Sequence, residues 1–229
     1  MPDQRPPEQT PSNTAPGTLL TEPDWLADRV ADTGRRWDCA NPRINATLWW
    51  YSASSTLVAD SLVGLLATGQ APTPEPEYLQ IALRDDGYVA STHAADTLTG
   101  PKQYADTLID AFARIITPLA AVSGAAPRAL WAIASDSIAN RALDAGRTLD
   151  QVHDACTLAA TLCIPPLLSP RFITDPRHTP LTEERREIRV PILRRSSCCL
   201  IYQATASNKC TSCPRRPRQP NRGQITISS

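Results

Sequence analysis

Apolar positions recur at helical spacing along most of the chain, cut into segments by proline and glycine. Thr21-Glu22-Pro23-Asp24 predicts a first helix, with Thr21 placed to cap it and acidic residues at the positive end of its dipole, running to about Gly34. Leu57, Val58, Leu62, Leu65 and Leu66 share one face of a second helical region over 45–68, with Gly69 as its stop. After a proline-rich link over 71–76 the period changes to two. Leu79, Ile81 and Leu83 alternate, Asp85-Asp86-Gly87 signals a turn, and 88–92 returns as a partner strand, giving a β-hairpin near 78–92. Pro101 suits the first turn of the next helix, whose stripe is Tyr104, Leu108, Ala111, Phe112, Ile115 and Leu119; Pro118 predicts a kink or an end. Pro127 opens another helix, with Leu130, Trp131, Ala134, Ile138 and Leu143 inward and Gly146 as the stop. Thr148 and Gln151 have the spacing of a capping box for a last helix ending before Pro165-Pro166.

The fold class that follows is mainly α (α+β): a helical body with one β-hairpin and a cysteine-rich C-terminal segment. Residues 1–20, rich in Pro, Thr, Gln and Asn, read as a disordered leader. The body spans 21–170. A polar, arginine-rich segment over 171–216 contains a short extended run at 188–193 that leads into the cysteines, and 217–229 reads as a flexible basic tail.

The chain has 229 residues, enough for one substantial core. No stretch approaches the roughly 20 uninterrupted apolar residues of a membrane span. The best, Leu108 to Ala139, is broken by Asp110, Arg114, Pro118, Arg128 and Asp136. The N-terminus has no apolar run of the signal-peptide kind. These features predict a cytoplasmic protein, free or peripheral to the inner face of the membrane. In that reducing compartment seven cysteines point to metal or redox chemistry before disulfides. The formal charge of zero hides an asymmetry: 19 acidic against 11 basic residues over 1–170, and 4 against 12 over 171–229. The basic excess would attract an anionic ligand or an acidic partner. It surrounds the cysteines, which explain it better than nucleic acid does, so no nucleic acid is expected.

The cysteine motif is Cys198-Cys199-x10-Cys210-x2-Cys213. Four thiolates within 16 residues suit either a [2Fe–2S] cluster or a single zinc ion. The adjacent pair is the unusual feature. Neighbours in an extended strand point to opposite faces, so the doublet must sit in a bend for its thiolates to converge. A vicinal disulfide is strained and disfavoured in a reducing compartment. Cys39, Cys156 and Cys163 read as structural. Cys156 and Cys163, seven apart, share a helical face; His153 stands near Cys156 with no further ligand, and His93 and His178 are isolated. No histidine lies between Cys198 and Cys213, which argues against a Rieske-type centre.

The run RRSSCCLIYQATASNKCTSCPRR, which includes the arginine pair Arg194-Arg195, resembles the C-terminal signature of the FhuF family of ferric siderophore reductases. LWWYSASSTLVA (48–59) and WAIASDSIANRAL (131–143) resemble further blocks of that family. The resemblance implies a [2Fe–2S] cluster on Cys198, Cys199, Cys210 and Cys213, and a helical body related to the C-terminal region of siderophore synthetases. It further implies one-electron reduction of cytoplasmic ferric siderophore, of the hydroxamate class, with release of Fe(II). The alternative is a zinc-stabilised module that binds a siderophore or a protein without redox chemistry.

No side chain is assigned as a catalytic acid, base or nucleophile. Arg194, Arg195, Arg215 and Arg216 would offset the negative charge of the cluster, and Arg194 and Arg195 are also candidates to contact the siderophore. Trp49, Trp50 and Trp131 are candidates to line a siderophore pocket, with core packing as their commoner role. Arg141 would meet an anionic chelate or solvent, and Asp136 would pair with a neighbour. No G-x-G-x-x-G and no P-loop is present, so the electron is expected from an external donor such as a ferredoxin or a flavoprotein reductase.

Overall fold

The structure, a computed structural model, describes residues 14–174, 191–205, 209 and 213–215. Five helices carry the body: α1 (Pro23–Trp37), α2 (Pro42–Thr68), α3 (Pro101–Ser123), α4 (Pro127–Thr148) and α5 (Val152–Leu162). The first four begin on a proline, whose missing N–H is spent where a helix has no internal acceptor for it. Gly69, at φ 73°, ends α2 in the left-handed conformation as the pattern predicts.

The helices α2 and α4 form the central pair. The Trp50 indole donates to the Leu130 carbonyl at 2.9 Å, and the Ser54 and Ser137 hydroxyls meet at 2.8 Å. Both helices have a stretch buried all round: residues 44–50 near the start of α2 and 132–139 at the middle of α4 have no solvent face. Trp49 and Trp50 lie wholly inside, Trp49 edge-on to Trp25 and Trp50 edge-on to Phe112. The stripe predicted on α3 is buried in full.

The predicted hairpin is β3 (Leu79–Leu83) and β4 (Val89–Ala94), antiparallel, with Ile81 opposite Thr92. A strand within the expected leader, β1 (Thr14–Pro16), pairs with the free edge of β3, and Leu20 behind it is fully buried. Residues 14–20 of the span read as a leader are therefore structured. The proline-rich link holds β2 (Gln70–Pro72), which pairs with β5 (Thr97–Thr99). Near the C-terminus β6 (Phe172–Thr174) pairs with β7 (Pro191–Leu193), and a single-turn α6 (Ile201–Ala204) follows the cysteine doublet. No helix among the described residues is long and apolar enough to cross a membrane. The tail read over 217–229, and the extended run at 188–190, lie outside the described residues.

Four local expectations are corrected. Thr21 does not cap α1; its hydroxyl donates to Thr18 O, and α1 runs to Trp37, with Gly34 packed inward against the α1–α2 connection. Pro118 does not end α3. It is only half-buried, and the buried positions Leu119 and Ser123 carry the helix past it. The capping box does not form: Thr148 donates to Asp144 O, and α5 starts from Gln151 without a side-chain cap. Gly146 is not a stop but a contact point between α4 and α5. A Cβ there would stand 2.5 Å from Ala155 Cβ and 3.0 Å from Val152 Cα.

Gly146→Ala should therefore destabilise the protein by about 1–3 kcal/mol despite the better helix propensity of alanine. A lower denaturant midpoint at unchanged slope checks this. An unchanged midpoint would mean that α4 and α5 separate readily at that point.

Candidate functional site

Three consecutive polar residues, Ser135, Asp136 and Ser137, sit at the fully buried middle of α4. Buried polar groups require partners, and each of the three has its own. Ser137 meets Ser54 of α2. Ser135 accepts from the backbone N–H of Leu168 at 2.8 Å and so holds the chain after α5. Asp136 faces the residues that precede the cysteines. Its Oδ1 accepts from Ser196 N at 2.8 Å, and its Oδ2 accepts from Ser197 N at 2.8 Å and from Ser197 Oγ at 2.5 Å. Burial pushes this carboxyl above its ordinary value, while those hydrogen bonds and the Arg195 charge pull it back.

Arg195 is buried beside it, Nε 3.6 Å from Asp136 Oδ2, with its guanidinium 4.6 Å from the centre of the Tyr51 ring. It also interacts with the Cys199 thiol. Cys199 packs with Ile44 and Leu48 on the outer face of α2, with Trp37, Cys39 and Tyr51 around them. The next residue, Leu200, takes the left-handed conformation at φ 62°, an uncommon choice for a side chain of that size, and turns the chain into α6. The bend that the doublet demands is thus present: Ser196–Ser197 clamped by Asp136 on one side, Leu200 on the other.

The bend brings Cys198 Sγ to 3.7 Å from Cys213 Sγ, across 15 residues of chain. Two thiolates on one tetrahedral ion at ~2.3 Å would stand about 3.7 Å apart, so this pair is spaced as ligands of one metal. Burial raises the Cys198 thiol, a hydrogen bond with the Leu200 backbone opposes this, and Cys213 and Cys199 add to the rise. Cys210, the remaining cysteine of the motif, lies outside the described residues, as does Arg216. Among the described residues no three His, Cys, Asp or Glu side chains form a metal-holding group. The residues nevertheless fit a sulfur-rich anionic centre. Two of the thiols, Cys198 and Cys213, approach each other, and Arg195 has two buried N–H donors, Nε and Nη2, without a hydrogen-bond partner among the described residues.

The other predicted positions are dispersed. Trp49 and Trp50 are core residues with no face to solvent, and Trp131 is half-buried on α4. Arg141 donates to Ser55 Oγ at 2.8 Å and pairs with Asp144. Arg194 is half-buried and continues the β6–β7 pairing through Arg171 O; Arg215 is exposed and donates to the Tyr202 hydroxyl. Cys156 and Cys163 are buried, their thiols pushed up by burial to about 11 and about 12, as inert structural cysteines would be, with the Asp136 charge adding to the rise at Cys163. A groove of about 620 Å³, lined in part by Val30, Gly34, Cys39, Asn45 and Val122, contains none of the predicted substrate residues. Sequence reasoning missed Tyr51, Ser196, Ser197 and Leu200. The only available signal was the two serines directly before the doublet, which offer donors at the point where it must bend.

Residues 195–215 match the family model of the FhuF 2Fe-2S C-terminal domain. The matched span opens on Arg195 and contains the whole four-cysteine motif. No curated protein matches the chain.

Asp136→Ala should be strongly destabilising, by about 3–5 kcal/mol, because it strands three donors and leaves the Arg195 charge buried without its counter-ion. Asp136→Asn keeps an acceptor and should cost less than half of that. Equilibrium unfolding of the two variants gives the comparison, and equal losses would show that the retained acceptor contributes nothing and that the charge carries the whole effect.

Proposed function

We propose that this chain, a member of the FhuF family by its C-terminal domain, delivers one electron to Fe(III) held in a siderophore and thereby releases Fe(II). The observation that carries this reading is the approach of Cys198 to Cys213 at 3.7 Å, inside the residues that match the 2Fe-2S domain. Cys198, Cys199, Cys210 and Cys213 would hold the [2Fe–2S] cluster, which supplies single electrons when bound. The substrate is Fe(III) in hard oxygen donors, with hydroxamates the favoured class. Fe(II) carries less charge and suits those donors poorly, so one added electron weakens the complex.

The chain's own residues bind, position and compensate. Asp136 fixes the Ser196–Ser197 bend, and Arg195 sets a positive charge beside Cys199. Trp131, Arg141 and Arg194 keep solvent-facing surface and are the residues we assign to the anionic chelate. Trp50 serves that surface from behind, by fixing α2 against α4, and Trp49 packs α2 against Trp25 of α1. The electron comes from an external donor, a ferredoxin or a flavoprotein reductase, whose acidic surface suits the basic C-terminal third. Reduction within the cytoplasm follows from the same reading.

Anaerobically purified protein should be brown, with two irons and two sulfides per chain. Dithionite should bleach it and a ferric hydroxamate siderophore should restore the colour, with Fe(II) appearing in step. Serine in place of Cys198, Cys199, Cys210 or Cys213 should abolish both colour and Fe(II) release. Cys156→Ala should leave iron and sulfide content at the wild-type level. Colourless protein with one zinc would replace this reading with that of a binding module.

A further inference from the structure

Arg195 is an uneconomical residue in the structure as protein alone. Its side chain is 5% exposed, yet Nε and Nη2 lack a hydrogen-bond partner among the described residues. A guanidinium keeps its charge, and buried donors left unpaired cost more than the bonds they would make. The nearest carboxylate does not relieve them. Asp136 is engaged by Ser196 N, Ser197 N and Ser197 Oγ, and stands 3.6 Å from Nε, close enough for charge and too far for a hydrogen bond. Tyr51 gives the guanidinium a ring face, 4.6 Å away, and no acceptor in its plane. The remaining neighbour is Cys199 of the doublet. Arg195 is thus held on one side by an aromatic face and on another by a fixed negative charge, with two donors unpaired beside the Cys199 thiol.

We infer that Arg195 is the hydrogen-bond donor to the sulfur of the bound cluster, with Asp136 as its positioning residue, and that this pair sets the cluster's reduction potential. The inference rests on the redox reading above. Reduction adds one negative charge at the sulfur-bearing centre. A buried cation donating there favours the reduced form, whereas exposed arginines nearby are screened by water and salt. Arg215, exposed and directed to Tyr202, is the natural contrast. Among the described arginines near the cysteines, the tuning should therefore reside in Arg195.

The test is an anaerobic redox titration of the loaded full-length protein, followed in the visible band, with iron and sulfide assayed on each sample. Arg195→Gln should shift the one-electron equilibrium against reduction by about tenfold, which is ~59 mV. Arg195→Lys, which keeps the charge and loses the planar fork, should fall between it and wild type. Arg215→Gln should stay within about twofold of wild type, as screened surface charges do. A wild-type potential in Arg195→Gln overturns the inference. Should Arg195→Gln fail to retain iron and sulfide, Arg195→Lys decides: a wild-type potential there overturns the inference equally. Wild-type protein that itself lacks iron and sulfide overturns the redox reading, and the inference with it, by a signature no variant can mimic.

Discussion

A carboxylate enclosed at the centre of a helix cannot be hydrated, so the structure around Asp136 is organised by what that group requires. The residues of α4 on either side of it are buried in both directions along the chain, and no water-facing rotamer is open to it. Donors must be brought in by another segment. The segment that brings them is Ser196–Ser197, and the two residues that follow are the cysteine doublet. The most demanding polar group of the body is thereby satisfied by the loop that carries the chemistry. Ser135 and Ser137 apply the same constraint to the chain after α5 and to α2, so three successive residues of one helix fix three other parts of the protein.

The described residues from 191 onward, which carry the cysteines, have little regular structure of their own: a three-residue strand and one turn of helix. Neither would persist alone. The segment depends on external supports, and three are visible. β6 pairs with β7 along its start, α4 holds the bend, and Ile44 and Leu48 of α2 receive Cys199. On the reading proposed above, a bound metal centre would be a fourth support, and binding of that kind is coupled to folding.

The sequence was most legible where one local rule decides. Leu79, Ile81 and Leu83 with Asp85-Asp86-Gly87 specify a hairpin, Gly69 ends a helix, and the first-turn prolines Pro101 and Pro127 start two more. It misled where tertiary contact overrides the local rule. Gly34 and Gly146 look like helix stops, but they are sites of close approach to the chain packed against them, which no single-sequence pattern distinguishes. Pro118 looks like a break, and the buried positions beyond it carry α3 onward. At the site, the cysteine spacing marked out Cys198 and Cys213, which the fold brings to 3.7 Å, because spacing is a property of the chain. Their support was less accessible. Asp136 meets Ser196 across 60 residues, and Tyr51 meets Arg195 from a third element; neither relation leaves a periodic trace.

Charge acts at this site on two length scales with different consequences. The acidic excess of the body is mostly surface charge, felt over about a Debye length, roughly 8 Å at physiological salt. That scale governs which partner or chelate approaches, and at what rate. Arg195 belongs to the other scale. Enclosed by Tyr51, Asp136 and Cys199, it acts over hydrogen-bond distances in a medium that screens little, so its effect falls on the energy of the centre rather than on encounter. A chain with several arginines around four cysteines could look redundant in composition. Burial separates their tasks: the exposed arginines recruit, and the one whose donors are unspent inside the fold sets the energy at which an electron is held.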